Sequence, residues 1–358
     1  MIHYDFNDIL ITPARISTIR SRSEISPLHK LTNEWLPLIV SPMDTVISTN
    51  NWKNYLAQKM PICFPRGIKP KDIPEIDQVI LNNLSDGVFF SYSLEETDEL
   101  VNLLESNKEF DHYHNILIDI ANGHMKHLAD IVSKLRKLTK AKIMVGNIAN
   151  PDTYKVLSDA GADYIRVGVG FGGGCLTAMN TGIGYSMATL IKECNQQKKY
   201  IISEGGKPAF IVADGGFREY SDIIKAIALG ADWVMLGSIL NKSLESAGDT
   251  YWSFYGLKIK VGSGLAKFLW KHKFKLEKKF RGMSTKEVQL KWGKQKLTTS
   301  EGVVRMRTVK YTLTGWTENF VDYLKSSMSY TNYRELSAFI GGPKFTQISQ
   351  NSFMRFNK

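Results

Sequence analysis

Cysteine is scarce in this chain, with Cys63, Cys175 and Cys194 the only three among 358 residues. An odd, sparse set excludes a disulfide-stapled scaffold and points to a reducing compartment. No stretch approaches the roughly 18 uninterrupted apolar residues of a membrane span, so no membrane partner is expected. The opening MIHYDFNDIL lacks the basic-then-apolar order of a signal peptide, and the cytoplasm is the expected location. Acidic residues are outnumbered 35 to 46 by Lys and Arg, giving a formal charge of +11. That balance suits anionic ligands such as nucleotides, with nucleic acid as a rival partner. Much of the excess sits between Lys258 and Arg281, so it is local and says little about the remaining surface.

Apolar material, by contrast, is ample. Hydrophobic residues make up 43% and charged ones 23%, an ordinary globular balance with enough for a sizeable core. The length suits one large catalytic domain or two small ones; a barrel needs about 250 residues plus its insertions.

Short, nearly continuous apolar runs recur eight times: Leu36–Ser41, Met60–Phe64, Gly87–Ser91, Asn115–Asp119, Ala141–Gly146, Ala162–Gly168, Ala209–Asp214 and Ala231–Gly237. Strands covered by helices on one side and by a barrel interior on the other read this way. Helical periodicity fills the gaps at Thr97–Leu104, His124–Leu138, Asp152–Ala160, Met187–Cys194 and Tyr220–Leu229, with Asp152 placed to cap its helix. The segments Ser158–Asp163 and Ile227–Asp232 both end a helix at Gly and start a strand at once, a compact turn using Gly as the left-handed cap. Eight such units predict an α/β fold, a closed (β/α)8 barrel (TIM barrel), over residues 1–358; an open doubly wound sheet is the runner-up. Residues 250–315 lose this rhythm and read as a long flap after the eighth strand. Residues 317–340 form a C-terminal helical segment, and the first thirty residues form a lead-in covering one barrel end.

Four places are candidates for chemistry. Gly168-Val-Gly-Phe-Gly-Gly-Gly-Cys-Leu-Thr177 follows the sixth run. Its amides can cradle an anion, and its carbonyls at Gly170, Gly172 and Cys175 can hold a monovalent cation such as K+. Cys175 on that rim is either an activated nucleophile or an inert thiol in a tight turn, and both readings stay open. Cys63, in a strand, and Cys194, on a helix, read as inert. Asp214-Gly-Gly216 and Gly237-Ser238 end the seventh and eighth runs, where barrels often build a phosphate site, and Asp214 can accept from a ribose diol. Ser300-Glu-Gly302 carries almost no weight alone. The basic run Lys258–Arg281, with Phe268, Trp270 and Phe274 interleaved, is read first as a solvated hairpin or helix with some packed aromatics and second as a site for nucleic acid or a polyanion.

Together these residues resemble the IMP dehydrogenase and GMP reductase family along nearly the whole chain. The likeness includes Asp5–Leu10, Ser21–Glu24, Ser41–Val46, the Cys175 loop, Ala213–Gly216, Met235–Ser238, Arg281–Ser284, Ser300–Gly302 and Ser326–Tyr330. Ser21–Glu24, Ile120–His124 and Val145–Asn147 resemble the reductase branch. The regulatory modules that the dehydrogenase usually carries have no room between Arg66 and Gly87, and Thr285–Ser300 lacks the dehydrogenase's Arg-Tyr pair.

The resemblance implies a homotetrameric oxidoreductase of purine nucleotide metabolism. In it the Cys175 thiolate adds to C2 of GMP, ammonia leaves with help from Thr177 and Glu301, and hydride from NADPH resolves the thioimidate to IMP. It assigns nucleotide contacts to Ser41, Met43, Asp214, Gly215, Gly216, Gly237, Ser238, Gly282, Met283, Ser284 and Gly302. Arg66 falls near the reacting centre, and Asp119, Ala121, Asn122 and Gly123 fall on the cofactor side. Two alternatives are an NAD-dependent IMP dehydrogenase making XMP and a non-catalytic nucleotide- or nucleic-acid-binding barrel. Several positions depart from the family pattern. Phe171-Gly-Gly173 replaces Pro-Gly-Ser, Ala178 and Met179 replace basic residues, Ser186-Met187 replaces Pro-Gln, and residues 250–280 run roughly eighteen residues long. Ribo-, deoxyribo- and modified purine nucleotides therefore all stay open as substrate.

Overall fold

The structure, a computed structural model, describes residues 3–30, 34–76, 87–106, 114–170, 177–282, 285 and 303–356. In chain order the strands are β1 (Ile9–Ile11), β2 (His29–Lys30), β3 (Glu34–Trp35), β4 (Leu38–Val40), β5 (Ile62–Phe64), β6 (Val88–Tyr92), β7 (Asn115–Asp119) and β8 (Ile143–Ile148). They continue with β9 (Tyr164–Val167), β10 (Phe210–Asp214), β11 (Trp233–Leu236), β12 (Thr250–Phe254), β13 (Leu257–Val261), β14 (Leu276–Arg281), β15 (Val304–Thr308) and β16 (Phe345–Gln347). The helices used below are α1 (Trp52–Ala57), α2 (Leu94–Ser106), α3 (Lys126–Leu138), α4 (Pro151–Asp159), α5 (Thr177–Thr181), α6 (Met187–Ser203), α7 (Tyr220–Leu229), α8 (Ser238–Asn241), α9 (Ser263–Lys271) and α10 (Leu313–Tyr330).

Strands β4 to β11 close into one parallel barrel, so the eight apolar runs are its eight staves. The pleat explains why each run is apolar throughout. Ile39, Cys63, Phe89, Leu117, Tyr164 and Val212 point inward and fill the lumen. Their neighbours Leu38, Ile62, Phe90, Ile116, Ile165 and Ile211 point outward against the helices.

The α4 cap differs from the expectation. Asn150, not Asp152, is the N-cap, and its side chain accepts from the Asp152 N–H at 2.8 Å. Pro151 takes the first helical position, which moves the cap one residue upstream of the proline. Asp152 sits in the first turn, where its charge still complements the helix dipole.

The lead-in closes the N-terminal end of the barrel. The β2–β3 pair brings Trp35 into the lumen cluster beside Trp233. The His29 ring stacks on Trp233 at 4.1 Å, and its Nε2–H donates to the Asp232 carbonyl at 2.7 Å. Burial pushes the His29 pKa down, so the ring stays neutral there. Helix α10 lies outside the barrel, with Trp316 stacked on Tyr220 of α7 at 5.4 Å.

The described residues of the segment 250–315 carry regular structure. In its described part the flap is a four-stranded antiparallel sheet in the order β13-β12-β14-β15 with α9 packed on it, so the basic run read as a solvated hairpin or helix with packed aromatics contains both. A two-residue turn starts it: Phe254 pairs with Leu257 across Tyr255 and Gly256, both with positive φ (46° and 81°), the conformation of a tight hairpin turn. Lys278 of β14 pins this sheet to the barrel rim. Its side chain is buried, and Nζ donates to the carbonyls of Ser246 and Gly248. Burial lowers the Lys278 pKa to about 8, against the pull of Glu245 and Asp249.

The sign of the resulting pH effect follows. The unfolded lysine keeps its proton up to about 10.5, so between about 8 and 10.5 the unfolded state binds more protons and stability rises with pH. Wild-type protein should gain stability relative to Lys278→Met across that window, by roughly 1.4 kcal/mol per pH unit at most. Urea unfolding at pH 7.5 and about pH 9.5 checks this; parallel curves for the two proteins would refute it.

Among the described residues no helix is long and apolar enough to cross a membrane, and no cluster of three or more His, Cys, Asp or Glu could hold a metal.

Candidate active site

Arg166 organises the C-terminal mouth. It follows the lumen residue Tyr164 by two positions in β9, so it faces inward one layer higher. Its side chain is 7% exposed and bridges two carboxylates. Nη1 meets Asp119 Oδ1 at 2.6 Å; Nη2 and Nε meet Asp214 Oδ2 at 2.8 and 3.2 Å. Burial alone would lower the Arg166 pKa, but the two carboxylates outweigh it and hold the guanidinium more firmly protonated. Asn147 Nδ2 donates to Asp214 Oδ2 and to the Gly168 carbonyl, each at 2.9 Å. Arg66, from the loop after β5, donates to the Asp119 carbonyl and brings Nε within 3.4 Å of Asp119 Oδ2. Strands β7, β8, β9 and β10 and the β5 loop are thus cross-linked by charge at one end of the barrel. Cys63 lies inside the barrel, where burial above all pushes its thiol pKa up, and Cys194 is shifted the same way inside α6. Neither offers a thiolate.

The residues expected to bind the nucleotide gather around this layer. Asp214 ends β10 with Oδ2 fixed by Arg166 and Asn147, while Oδ1 takes no hydrogen bond from a described residue. Gly215 and Gly216 then turn with φ of 97° and 85°. Beyond β11, Gly237 sits under Ser41 and Met43: a Cβ added there would stand 2.6 Å from Met43 Sδ and 3.6 Å from Ser41 Oγ. Ser238 opens the short helix α8. The turns after β4, β10 and β11 therefore converge.

Gly168 is the tightest of these positions. Its φ is 129°, and an added Cβ would lie 2.4 Å from the Asp214 carbonyl oxygen and 2.5 Å from Met187 Cε. Gly168→Ala should cost more than 2 kcal/mol, about 1–2 from the backbone and the rest from displacing Asp214. Gly67→Ala is the control, because φ is 88° but nothing lies within 4 Å. It should cost only the backbone part, and equal losses in urea unfolding would refute the packing argument.

On the opposite side, Ala121 and Asn122 are exposed next to Asp119. Gly123 closes against the β8 loop, donating to the Asn147 carbonyl at 2.8 Å with no room for a Cβ. His124 Nε2 accepts the Ala149 N–H at 2.9 Å, so the neutral ring carries its proton on Nδ1, 3.1 Å from Asn122 Oδ1. Burial lowers the His124 pKa, which keeps this tautomer. Asp119 does not present a free carboxylate to a cofactor, since both its oxygens face arginines.

Thr177 begins α5, and Ala178 packs against Gly170 (φ 89°), whose added Cβ would lie 2.6 Å from that of Ala178. Cys175, Gly172, Met283, Ser284, Glu301 and Gly302 lie outside the described residues. Gly282, at the end of β14, is buried. Beside it Arg281 pairs with Asp44 of the loop after β4, tying the flap's entry to the mouth.

Against known proteins, the family model described as "IMP dehydrogenase / GMP reductase domain" matches residues 96–356, most of the chain. The chain belongs to this family. A GMP reductase of Vibrio atlanticus (strain LGP32) is 30% identical over 285 residues, covering 74% of this chain and 79% of that protein. A GMP reductase of Phytophthora infestans is 27% identical over 368 residues, covering 98% and 91%. An inosine-5'-monophosphate dehydrogenase of Aquifex aeolicus is 28% identical over 313 residues, covering 83% of this chain but 59% of its own length.

Within this family member the sequence reading missed Arg166, and it passed over Asn147 and the Asp44–Arg281 pair as chemistry. A signal for Arg166 existed: one charged residue inside the apolar run Tyr164–Val167 must find buried partners.

Proposed function

We propose that this chain is a GMP reductase, converting GMP and NADPH to IMP, ammonia and NADP+. The observation that carries the reading is coverage. The matches extend over most of the GMP reductases' length, whereas the Aquifex dehydrogenase has two fifths of its length outside the match. In keeping with this, β5 and β6 are joined by residues 65–87 alone.

The chain's residues divide the chemistry as follows. The turns at Gly215, Gly216, Gly237 and Ser238, with Gly282, Met283, Ser284 and Gly302 of the flap, contact the nucleotide, the first two turns holding its phosphate. Ser41 and Met43 flank it, and Asp214 Oδ1 accepts from the ribose. The Cys175 thiolate adds to C2 of the purine; the C2–N bond then breaks, and the amine leaves as ammonia with protons delivered by way of Thr177 and Glu301. NADPH supplies the hydride that C2 receives as the C2–S bond breaks and the thiolate is restored. The exposed Ala121–Asn122 turn beside Arg66 fits a bound dinucleotide. Asp119 serves that side through the two arginines it holds. A K+ near the Gly170 carbonyl would brace the Cys175 turn, and a homotetramer is the proposed assembly.

The test is a paired assay on purified protein. Loss of NADPH absorbance with GMP, with IMP and ammonia produced, is the expected result. NADH formation from NAD+ and IMP instead would make the chain a dehydrogenase, and silence in both would leave a binding barrel. Parallel runs with dGMP read the sugar contact: an Asp214-bound ribose predicts a KM increase with little change in kcat.

A further inference from the structure

The β12–β13 hairpin and α9 carry features that a nucleotide-converting barrel does not use. Seven of the large exposed hydrophobic side chains fall within residues 254–274. Tyr255, at the hairpin apex, is 91% exposed, Leu257 is 69% and Phe268 is 58%. Register places Trp252 opposite Ile259 and Phe254 opposite Leu257, so these four share one face of the sheet. The inner part of that face is closed: Trp252 packs with Val261, Ala266, Leu269 and Leu276 under α9. The outer part, from Phe254 to Ile259, is left open and ends in a projecting tip.

The charge within the hairpin and α9 themselves is of one sign. Residues 250–276 contain six lysines and no Asp, Glu or Arg. Lys258 and Lys260 point to the other face, where they pair with Glu277 at 2.7 Å and Asp249 at 2.8 Å. Lys267, Lys271, Lys273 and Lys275 form no ion pair with a described residue. An exposed apolar patch of this size marks a contact surface. A second copy of the chain is a poor occupant, because like charges would face each other. Single-stranded nucleic acid would use the aromatic rings, but not Leu257, Ile259 and Leu265. A convex tip of mixed aromatic and aliphatic residues ringed by lysines matches a lipid–water boundary with acidic head groups.

We propose that this module docks the protein on an anionic phospholipid surface, with Phe254, Tyr255 and Leu257 entering the acyl boundary and the four unpaired lysines meeting the head groups. A lack of long apolar runs bears on crossing a bilayer, not on lying against one. Because Lys278 and the Arg281–Asp44 pair anchor β14 to the barrel rim, docking would hold the mouth at a fixed height above the surface.

The test is co-sedimentation of the full chain with vesicles of phosphatidylcholine alone and of phosphatidylcholine mixed with phosphatidylserine. Binding is expected only to the mixed vesicles and should fall as salt is raised. The triple variant Phe254→Ser/Tyr255→Ser/Leu257→Ser and the variant Lys267→Glu/Lys271→Glu/Lys273→Glu should each bind at least roughly tenfold more weakly. None of these positions is a site residue, so GMP and NADPH turnover and the melting curve should match wild type, which separates this idea from the reductase reading. Equal binding to both vesicle types, unchanged binding by the serine variant, or tighter binding to a single-stranded oligonucleotide than to vesicles would overturn it.

Discussion

Arg166→Leu should be the most destabilising single change in the barrel, lowering the unfolding free energy by about 3–5 kcal/mol. The leucine removes the one cation, among the described residues, that touches both Asp119 and Asp214; Asp119 keeps Arg66, but Asp214 is left without a counter-charge in a largely dehydrated layer. Desolvating an unpaired carboxylate costs far more than the lost packing of the arginine stem. The discriminating measurement is a double-mutant cycle. Asp214→Asn added to Arg166→Leu deletes one orphaned charge, and an asparagine carbonyl can still accept from Asn147 Nδ2. The double variant should therefore recover part of the loss, with a coupling energy of about 1–3 kcal/mol. Strict additivity in urea unfolding would show that Arg166 acts by packing alone. Turnover should collapse in the single variant too, since Asp214 and Arg66 both take their orientation from this layer.

Cys175→Ala should lower kcat by on the order of 10⁴-fold or more while leaving GMP affinity within a few-fold, because a covalent step has no substitute in the site. Its thermal unfolding should superimpose on that of wild type. Cys175→Ser should be almost equally inactive, since a hydroxyl is a poor nucleophile without a strong base. Mass spectrometry of wild-type protein quenched during turnover should show an adduct on Cys175 that neither variant forms. Full turnover by the alanine variant would end the covalent mechanism, and a large loss of GMP affinity would reassign the thiol to binding.

The barrel was legible because its physics is repetitive. Each stave must be apolar on both faces, and each helix end before a strand needs a residue such as Gly230, with φ of 123°. The convergence of Ser41, Asp214 and Gly237 was legible for the same reason: strand ends of a parallel barrel share one mouth. What escaped were features decided by partners distant in sequence. Arg166 matters through residues 47 and 48 positions away, and nothing local announces them. The run Lys258–Arg281 was legible as a hairpin or helix with packed aromatics; the four-stranded pairing escaped because β14 joins β12 and β15 across long stretches of sequence. The proline at 151 was read as lying outside its helix, and the cap was therefore assigned two residues late.

One contact bears on how the chain becomes this molecule. Among the described residues strand β1 pairs with β16 alone, and Ile9, Leu10 and Ile11 lie opposite Gln347, Thr346 and Phe345. In synthesis that apolar triplet is made long before its partner and can pair with it only once the whole barrel between them has been made. Closing so long a loop is slow relative to local helix and hairpin formation. The β1–β16 clasp should thus form last in refolding, and truncation before Phe345 should yield a protein that assembles its barrel yet aggregates through an unsatisfied leading edge.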